Sequence, residues 1–393
     1  MTEWKEYKLG ELTIDGKGSY GIAAPAVDYD SNKYTYLRIT DINDDGTLNK
    51  NGLKSVDDKN AHKYLLQQND IVFARTGASV GRSYFYDERD GELVYAGFLI
   101  KYSIDPTKVN PKILKFYTHS QAYYDWIQTV DNGATRGNIN AQTYASMPII
   151  LPERHEQDRI VSVLSSFDDK IDLLHRENAT LEQMAETLFR QWFVVEAKEE
   201  WEEKPLGKCI KLVGGGTPKT SEERFWNGNV CWLSGGDIAN NHKNYVSISE
   251  KSISEDGLNN SSAKLLPENA MVVSARGTVG KYCLLSKPMA FSQSNYGILP
   301  IYSNCYFFTY LLVAYHIDEL QSAAYGSVFD TITTKTFEGV SVLLPKETGY
   351  IVEFEKMIEP YFSKMKYNNK QIQTLIQTRD GLLPRLMSGE VKI

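Results

Sequence analysis

The sequence predicts an α+β fold: two tandem mixed α/β domains separated by an antiparallel pair of long coiled-coil helices, in pseudo-two-fold arrangement. Three observations predict it. The chain repeats itself once, at an offset of about half its length, and a duplicated chain has a two-fold arrangement as its default geometry. Each copy begins with short β-rich runs set between Gly, Asn and Asp turn signals. Each copy then closes on a Leu-Pro pair and a long helical seam. A length of 393 residues fits this plan, at roughly 150 residues per domain.

The repeat is legible residue by residue. Trp4, Leu9 and Gly10 recur as Trp201, Leu206 and Gly207, and Leu37, Asp41 and Ile42 as Leu233, Asp237 and Ile238. Leu65, Leu66 and Asn69 recur as Leu265, Leu266 and Asn269. The run Thr76-Gly77-Ala78-Ser79-Val80-Gly81-Arg82 matches Arg276-Gly277-Thr278-Val279-Gly280-Lys281, which is one residue shorter. Gly133, Ile139, Thr143 and Pro152 recur as Gly326, Ile332, Thr336 and Pro345. Five matches in one order at offsets of 193 to 200 define a tandem duplication. Its boundaries fall at 1–152 for the first head, 153–196 for the first long helix, 197–345 for the second head and 346–393 for the second long helix. Inside each head, runs such as Ile71-Val72-Phe73-Ala74 and Met271-Val272-Val273-Ser274 read as buried strands, and Pro111 to Gln128 as helical.

In the first long helix the apolar positions fall at Ile160, Leu164, Phe167, Ile171, Leu174, Leu181, Ala185, Leu188 and Trp192, skipping Asn178. In the second they fall at Phe354, Ile358, Tyr361, Met365, Ile372 and Leu375, then Arg379, Leu382 and Leu386, skipping Asn368. Steps of four and three make a coiled-coil seam. The two align without a gap at an offset of 194, and each spans about 35 residues, roughly 50 Å. Residues 153–193 hold nine acids and five bases, and residues 352–393 five acids and seven bases. Complementary charge and a shared seam predict that the helices pack on one another, with Asn178 facing Asn368. The competing expectation is that each helix packs only on its own head.

Composition excludes several classes. The chain is 42% hydrophobic and 24% charged, which is globular rather than disordered. No apolar run approaches the ~20 residues of a membrane span, and the N-terminal residues lack the apolar core of a signal peptide, so the expectation is a cytoplasmic protein without a membrane partner. Net charge is −7, but residues 153–204 carry all of it, and the rest holds 36 acids against 36 bases. Local basic patches on a neutral body can still meet phosphate. Cys209, Cys231, Cys283 and Cys305 form no Cys-x-x-Cys pair, so free thiols are expected rather than a zinc site. Gly214 to Thr220 suggests a phosphate loop, but Pro218 stands where glycine must precede lysine, and proline has no amide to offer. The chain has no methyltransferase, dinucleotide or nucleophile-elbow motif. Glu202-Glu203-Lys204 has nuclease-like spacing but no Pro-Asp strand before it. The histidines lie singly. Two similar heads on a helical frame, without catalytic residues, suit a binder of DNA, whose own pseudo-symmetry sets two contacts at a fixed distance.

On these residues the chain resembles the specificity subunit of type I restriction-modification systems. The resemblance rests on Tyr36-Leu37-Arg38-Ile39-Thr40-Asp41-Ile42, Asn69 to Gly77, Gly215-Gly216-Thr217-Pro218, and Leu151-Pro152 with Glu156-Gln157. It rests also on Leu188 to Phe193 ending the first helix and Leu382 to Glu390 ending the second. It covers nearly the whole chain. It implies two target-recognition domains, each reading half of a bipartite, asymmetric site in double-stranded DNA. It implies two copies of an adenine methyltransferase subunit and two of a nuclease-translocase restriction subunit as partners. S-adenosylmethionine, ATP and Mg then belong to those partners, and this chain has no cofactor or catalytic residue of its own. The second helix opens Pro345-Lys346-Glu347-Thr348-Gly349-Tyr350, without the Glu-Gln pair of the first, so it either docks its partner differently or starts later.

Candidate DNA contacts follow from residue type. Arg75, Thr76 and Arg82 sit in the Gly-rich loop after the Ile71 run, and Arg276 and Lys281 in its counterpart; Arg38, Arg136, Lys219 and Arg224 lie beside other Gly-rich or polar turns. Arginine can read guanine edges bidentately, whereas lysine and threonine more often hold phosphate. Two other readings compete: a coiled-coil scaffold with two protein-binding heads, favoured by the net acidity, and a self-sufficient methyltransferase or nuclease, disfavoured by the missing motifs.

Overall fold

The computed structural model describes residues 4–50, 52–131, 138–325 and 330–392. The chain divides into two compact units. One comprises Met1–Asp169 with Ile376–Ile393, the other Lys170–Leu375. Both long helices therefore run through the division, and each unit holds a stretch of both.

The first unit is organised around the strand Asp70–Ala74, which is buried along its whole length. Alternate side chains of a strand point to opposite faces. Ile71 and Phe73 accordingly enter one core, with Leu9, Ile100, Tyr102 and Tyr144, while Val72 and Ala74 enter another with Leu37, Ile42 and Leu93. The strand lies in an antiparallel four-stranded sheet ordered Ser19–Tyr20, Leu99–Ser103, Asp70–Ala74, Ser83–Phe85. A second four-stranded sheet runs Ala26–Asp28, Lys54–Val56, Thr35–Leu37, Leu93–Tyr95. Lys5–Lys8 pairs antiparallel with Pro148–Leu151 and brings both ends of the head together.

The second unit repeats the plan. Met271–Ser274 is again fully buried, with Met271 and Val273 in one core and Val272 in the other. Its sheet runs Ile210–Gly214, Asn295–Pro300, Met271–Ser274, Tyr282–Leu285, with Tyr245–Val246 added in parallel. The closing ribbon recurs as Glu202–Pro205 with Ser341–Leu344.

The long helices span Arg154–Arg190 and Thr348–Met387. Their first residues are 194 apart, the offset of the seam, so the second helix starts no later than the first. The first is anchored through Gln157, which donates to the Pro152 carbonyl and accepts from the Asn110 amide at 2.9 Å each. Ile351 occupies the equivalent place in the second helix and is fully buried. In the second unit Asn178 meets Asn368, Phe189 meets Phe354 edge to face, and Trp192 meets Tyr350 at a tilt. Rising numbers on one helix meet falling numbers on the other, so the pair is antiparallel. In the first unit Asp168 meets Arg379 at 2.8 Å, and Ile160 and Leu164 share a core with Leu383 and Leu386.

The buried stripe differs from the predicted seam in detail. Leu181, Leu188, Trp192 and Tyr361 are only partly buried, and Phe189, Phe193 and Phe362 are the deeply buried residues. The reason is that each helix packs on a head as well as on the other helix. A helix with two contacts buries a stripe wider than a two-stranded seam.

Candidate nucleic-acid interface

The hairpin loop after the central strand is held by the same four backbone hydrogen bonds in both units. In the first, the Gly81 amide donates to the Ala74 carbonyl at 3.1 Å, and the Ala74 amide to the Arg82 carbonyl at 2.8 Å. In the second, Gly280 donates to Ser274 at 2.9 Å, and Ser274 to Lys281 at 2.7 Å. The Arg75 amide donates to the Phe98 carbonyl, and the Ile139 amide to the Arg75 carbonyl; Ala275, Ser294 and Ile332 repeat both bonds. Gly77 and Gly277 turn the loops at φ 74° and 76°, a left-handed conformation that side chains disfavour. The one-residue deletion is absorbed between them and Gly81 or Gly280, where the first loop has Ala78-Ser79 and the second only Thr278.

These shared loops carry different cations. Arg75 is half-buried, and its guanidinium lies 5.1 Å from the centre of the Tyr20 ring. Its Nε is buried without a hydrogen-bond partner. Arg276 is exposed, and among the described residues it forms no ion pair. Lys281 is half-buried and likewise unpaired; burial and the nearby Lys281 charge together pull His242 down to about 4. Thr76 bridges to Asn138 through its backbone.

The other predicted contacts are placed differently. Arg38 makes a forked pair with Asp41, with Nε at 2.8 Å and an Nη at 2.6 Å, and also reaches the Gly52 carbonyl. Arg82 pairs with Asp44 at 2.6 Å and donates to the Ile42 carbonyl at 3.1 Å. Arg224 lies 3.5 Å from Glu222 and 3.6 Å from Asp256, over the Phe225 ring. These three are partly neutralised within their own heads. Lys219 is exposed and unpaired among the described residues, while its carbonyl accepts the Trp226 indole. Arg136 lies outside the described residues.

Asn368 donates from Nδ2 to Asn178 Oδ1 at 2.9 Å, and also to Glu177 at 3.0 Å. Asn178 donates in turn to Asn369 at 3.3 Å, and Asn369 to Asn244 at 2.6 Å. The seam amides thus belong to a chain of polar contacts that ends on the second head.

Three charged features were not visible from spacing. Asp168 bridges Lys115 at 2.5 Å and Arg379 at 2.8 Å. Burial opposes its charge, but the two cations outweigh burial and hold the carboxyl below its ordinary range. Glu182 accepts from the buried Tyr310 hydroxyl at 2.5 Å, and Glu355 from the Phe307 and Phe308 amides at 3.1 and 2.7 Å. Burial pushes both carboxyls up to about 7. Among the described residues no group of three or more His, Cys, Asp or Glu is placed to hold a metal, and no helix is long and apolar enough to cross a membrane.

Comparison with known proteins gives one consistent answer. The profile described as type I restriction modification DNA specificity domain matches residues 1–183 and again 198–377. The type I restriction enzyme HindI specificity subunit of Haemophilus influenzae is 24% identical, over the full length of both chains. The MjaIX specificity subunit of Methanocaldococcus jannaschii is 24% identical over 68% of this chain and 66% of its own. Among solved structures, the type I restriction-modification S subunit from M. genitalium shares the fold. Its TM-score is 0.54 at 14% identity, covering 98% of this chain and 96% of that one.

Proposed function

The chain belongs to the family of type I restriction-modification DNA specificity domains, and from that premise we propose how it works as the DNA specificity subunit of such a system. Each head reads one half of a bipartite, asymmetric site, and the antiparallel helix pair sets the spacer between the halves. The chain itself carries out no chemistry. Two methyltransferase subunits dock along the helices, and two restriction subunits complete the assembly. S-adenosylmethionine, ATP and Mg are bound by those partners.

The observation that carries this reading is the repeated hairpin loop. Two loops share their backbone hydrogen bonds, yet one presents Arg75 and the other Arg276 and Lys281, all without a carboxylate partner among the described residues. A common frame with divergent cations suits two unlike half-sites. The half-buried Lys115, by contrast, is spent on Asp168.

Duplex binding by the chain assembled with its methyltransferase subunit tests the reading. Affinity for the cognate duplex should fall steeply with salt, since each neutralised phosphate contributes a log–log slope of about −0.9. Arg276→Ala with Lys281→Ala should weaken binding and make that slope shallower by roughly one to two. Salt-independent binding, or an unchanged slope in the double variant, contradicts the proposal.

A further inference from the structure

The two heads differ together at three positions that sequence keeps far apart. Strand register identifies the equivalents. Tyr20 pairs with Ile100, which pairs with Phe73; Gly214 pairs with Tyr296, which pairs with Val273. Tyr20 therefore corresponds to Gly214. The shared amide bonds make Arg75 equivalent to Ala275 and Phe98 to Ser294. In the first head an arginine, a tyrosine and a phenylalanine meet at one end of the sheet; in the second head all three are replaced by small residues. Joint replacement of three neighbours on an otherwise common backbone marks them as one working cluster.

The geometry points to Arg75 as the residue of the first head that reads a guanine in the major groove, with Tyr20 as its positioning residue and Phe98 as the apolar flank against the adjoining base. This rests on the DNA-reading role proposed above. The guanidinium carbon lies 5.1 Å from the centre of the Tyr20 ring, within cation–π range, and the Tyr20 hydroxyl is itself held by the Ala141 amide at 3.1 Å. An arginine held over an aromatic ring keeps its terminal N–H groups available, and that fork can meet guanine O6 and N7 together. The Nε is buried and without an acceptor, and among the described residues no carboxylate competes for the terminal nitrogens. Arg38, Arg82 and Arg224, by contrast, each have a carboxylate of their own head within 3.6 Å. Phe98 is 56% exposed and Tyr20 43%, so the cluster stands at the surface.

The test is selection of duplexes from a randomised pool by the full chain assembled with its methyltransferase subunit. Wild type must select a two-part motif; if it selects none, the DNA-reading role itself fails, whatever Arg75 does. Given that motif, Arg75→Ala should lose preference at a single G·C pair in one half-site and leave the other half-site intact. Affinity for the cognate duplex should drop roughly 10- to 100-fold, the range of one bidentate base contact, with little loss on a duplex already altered at that pair. Replacing that guanine by 7-deazaguanine should weaken wild type and leave Arg75→Ala unaffected. Tyr20→Ala should blur the same pair, while Tyr20→Phe keeps it. Arg75→Lys keeps the charge and should still lose the preference, which separates reading from misfolding. A uniform loss on all duplexes with a shallower salt slope would make Arg75 a phosphate contact and overturn the inference. So would a lost preference at an A·T pair, or in both half-sites.

Discussion

Glu182 and Glu355 are two buried carboxyls on two different long helices, and both grip the helix Tyr306–Tyr315 of the second head. Burial raises both from 4.5 to about 7. A raised carboxyl contributes stability that is fully present below its unfolded value and is lost as pH rises through the folded one. The second unit should therefore lose stability between about pH 4.5 and 7, on the order of 3 kcal/mol per group. Glu355→Gln keeps an acceptor for the Phe307 and Phe308 amides and removes the titration. Urea unfolding at pH 5 and pH 8 should show a smaller difference between the two pH values in Glu355→Gln than in wild type. An equal difference would show that Glu355 does not titrate there.

Residue scale is also where sequence reading reaches its limit. Arg38, Arg82 and Arg224 look like free cations in the sequence, because an arginine beside a turn carries no mark of its partner. Asp41, Asp44 and Asp256 were there to be read, but only folding brings the last two close to Arg82 and Arg224. Tyr20 lies 55 positions from Arg75, and nothing short of the strand register connects them. What was legible is the repeated frame, because buried alternation and turn glycines leave their pattern in one dimension.

At the scale of elements, the helix pair holds two kinds of polar contact. The Asn178–Asn368 pair is buried in the second unit, and Asp168 is flanked by Lys115 and Arg379 in the first. Replacing Asn368 alone by Ala should cost about 1–3 kcal/mol, because it leaves the Asn178 amide without its donor. Leucine at both positions should recover most of that loss while weakening the preference for one register. A double-mutant cycle measures this directly, and a coupling of zero would mean that the two amides act independently. Asp168→Ala should cost about 3 kcal/mol, since it strands the partly buried Lys115, while Arg379 keeps Asp380 at 2.9 Å. Its loss should be full above the unfolded carboxyl value of about 3.9 and should shrink as pH falls from there through the depressed folded value, which unfolding at pH 7 and pH 3 can check. The seam's spacing was readable, but its exact face was not. Phe189 and Phe362 displace Leu188 and Tyr361 from the deepest positions because the helices pack on the second head as well as on each other.

For the whole molecule, the proposed division of labour makes two claims. Exchanging residues 1–152 for the head of another family member should change one half-site and leave the other, as read from the methylated sites in cells carrying the hybrid. A change in both would end the modular view. The spacer claim is tested by a heptad inserted after Ile171 and another after Leu375, within two residues of where the compact units divide, so that nearly all contacts inside each are spared. Each insertion adds roughly 10 Å of helix, at most about three base pairs of rise. Duplexes selected from a randomised-spacer pool should then carry a longer gap, or binding should be lost as the heads turn off their DNA face. An unchanged gap at full affinity would mean that the helices do not set it.

Leu383 and Leu386 belong to the core of the first unit, with Leu9, Leu12 and Ile71. The ribosome makes them only after the whole of Lys170–Leu375. The second unit is a continuous stretch, complete in sequence before them, whereas the first, though begun earlier, keeps part of its apolar surface uncovered until they are added. Domains made first usually fold first; here the order of birth and the order of completion are reversed. A chain truncated after Leu375 should hold a protease-resistant second unit and a first unit that is still cut, and restoring residues 376–393 should protect both.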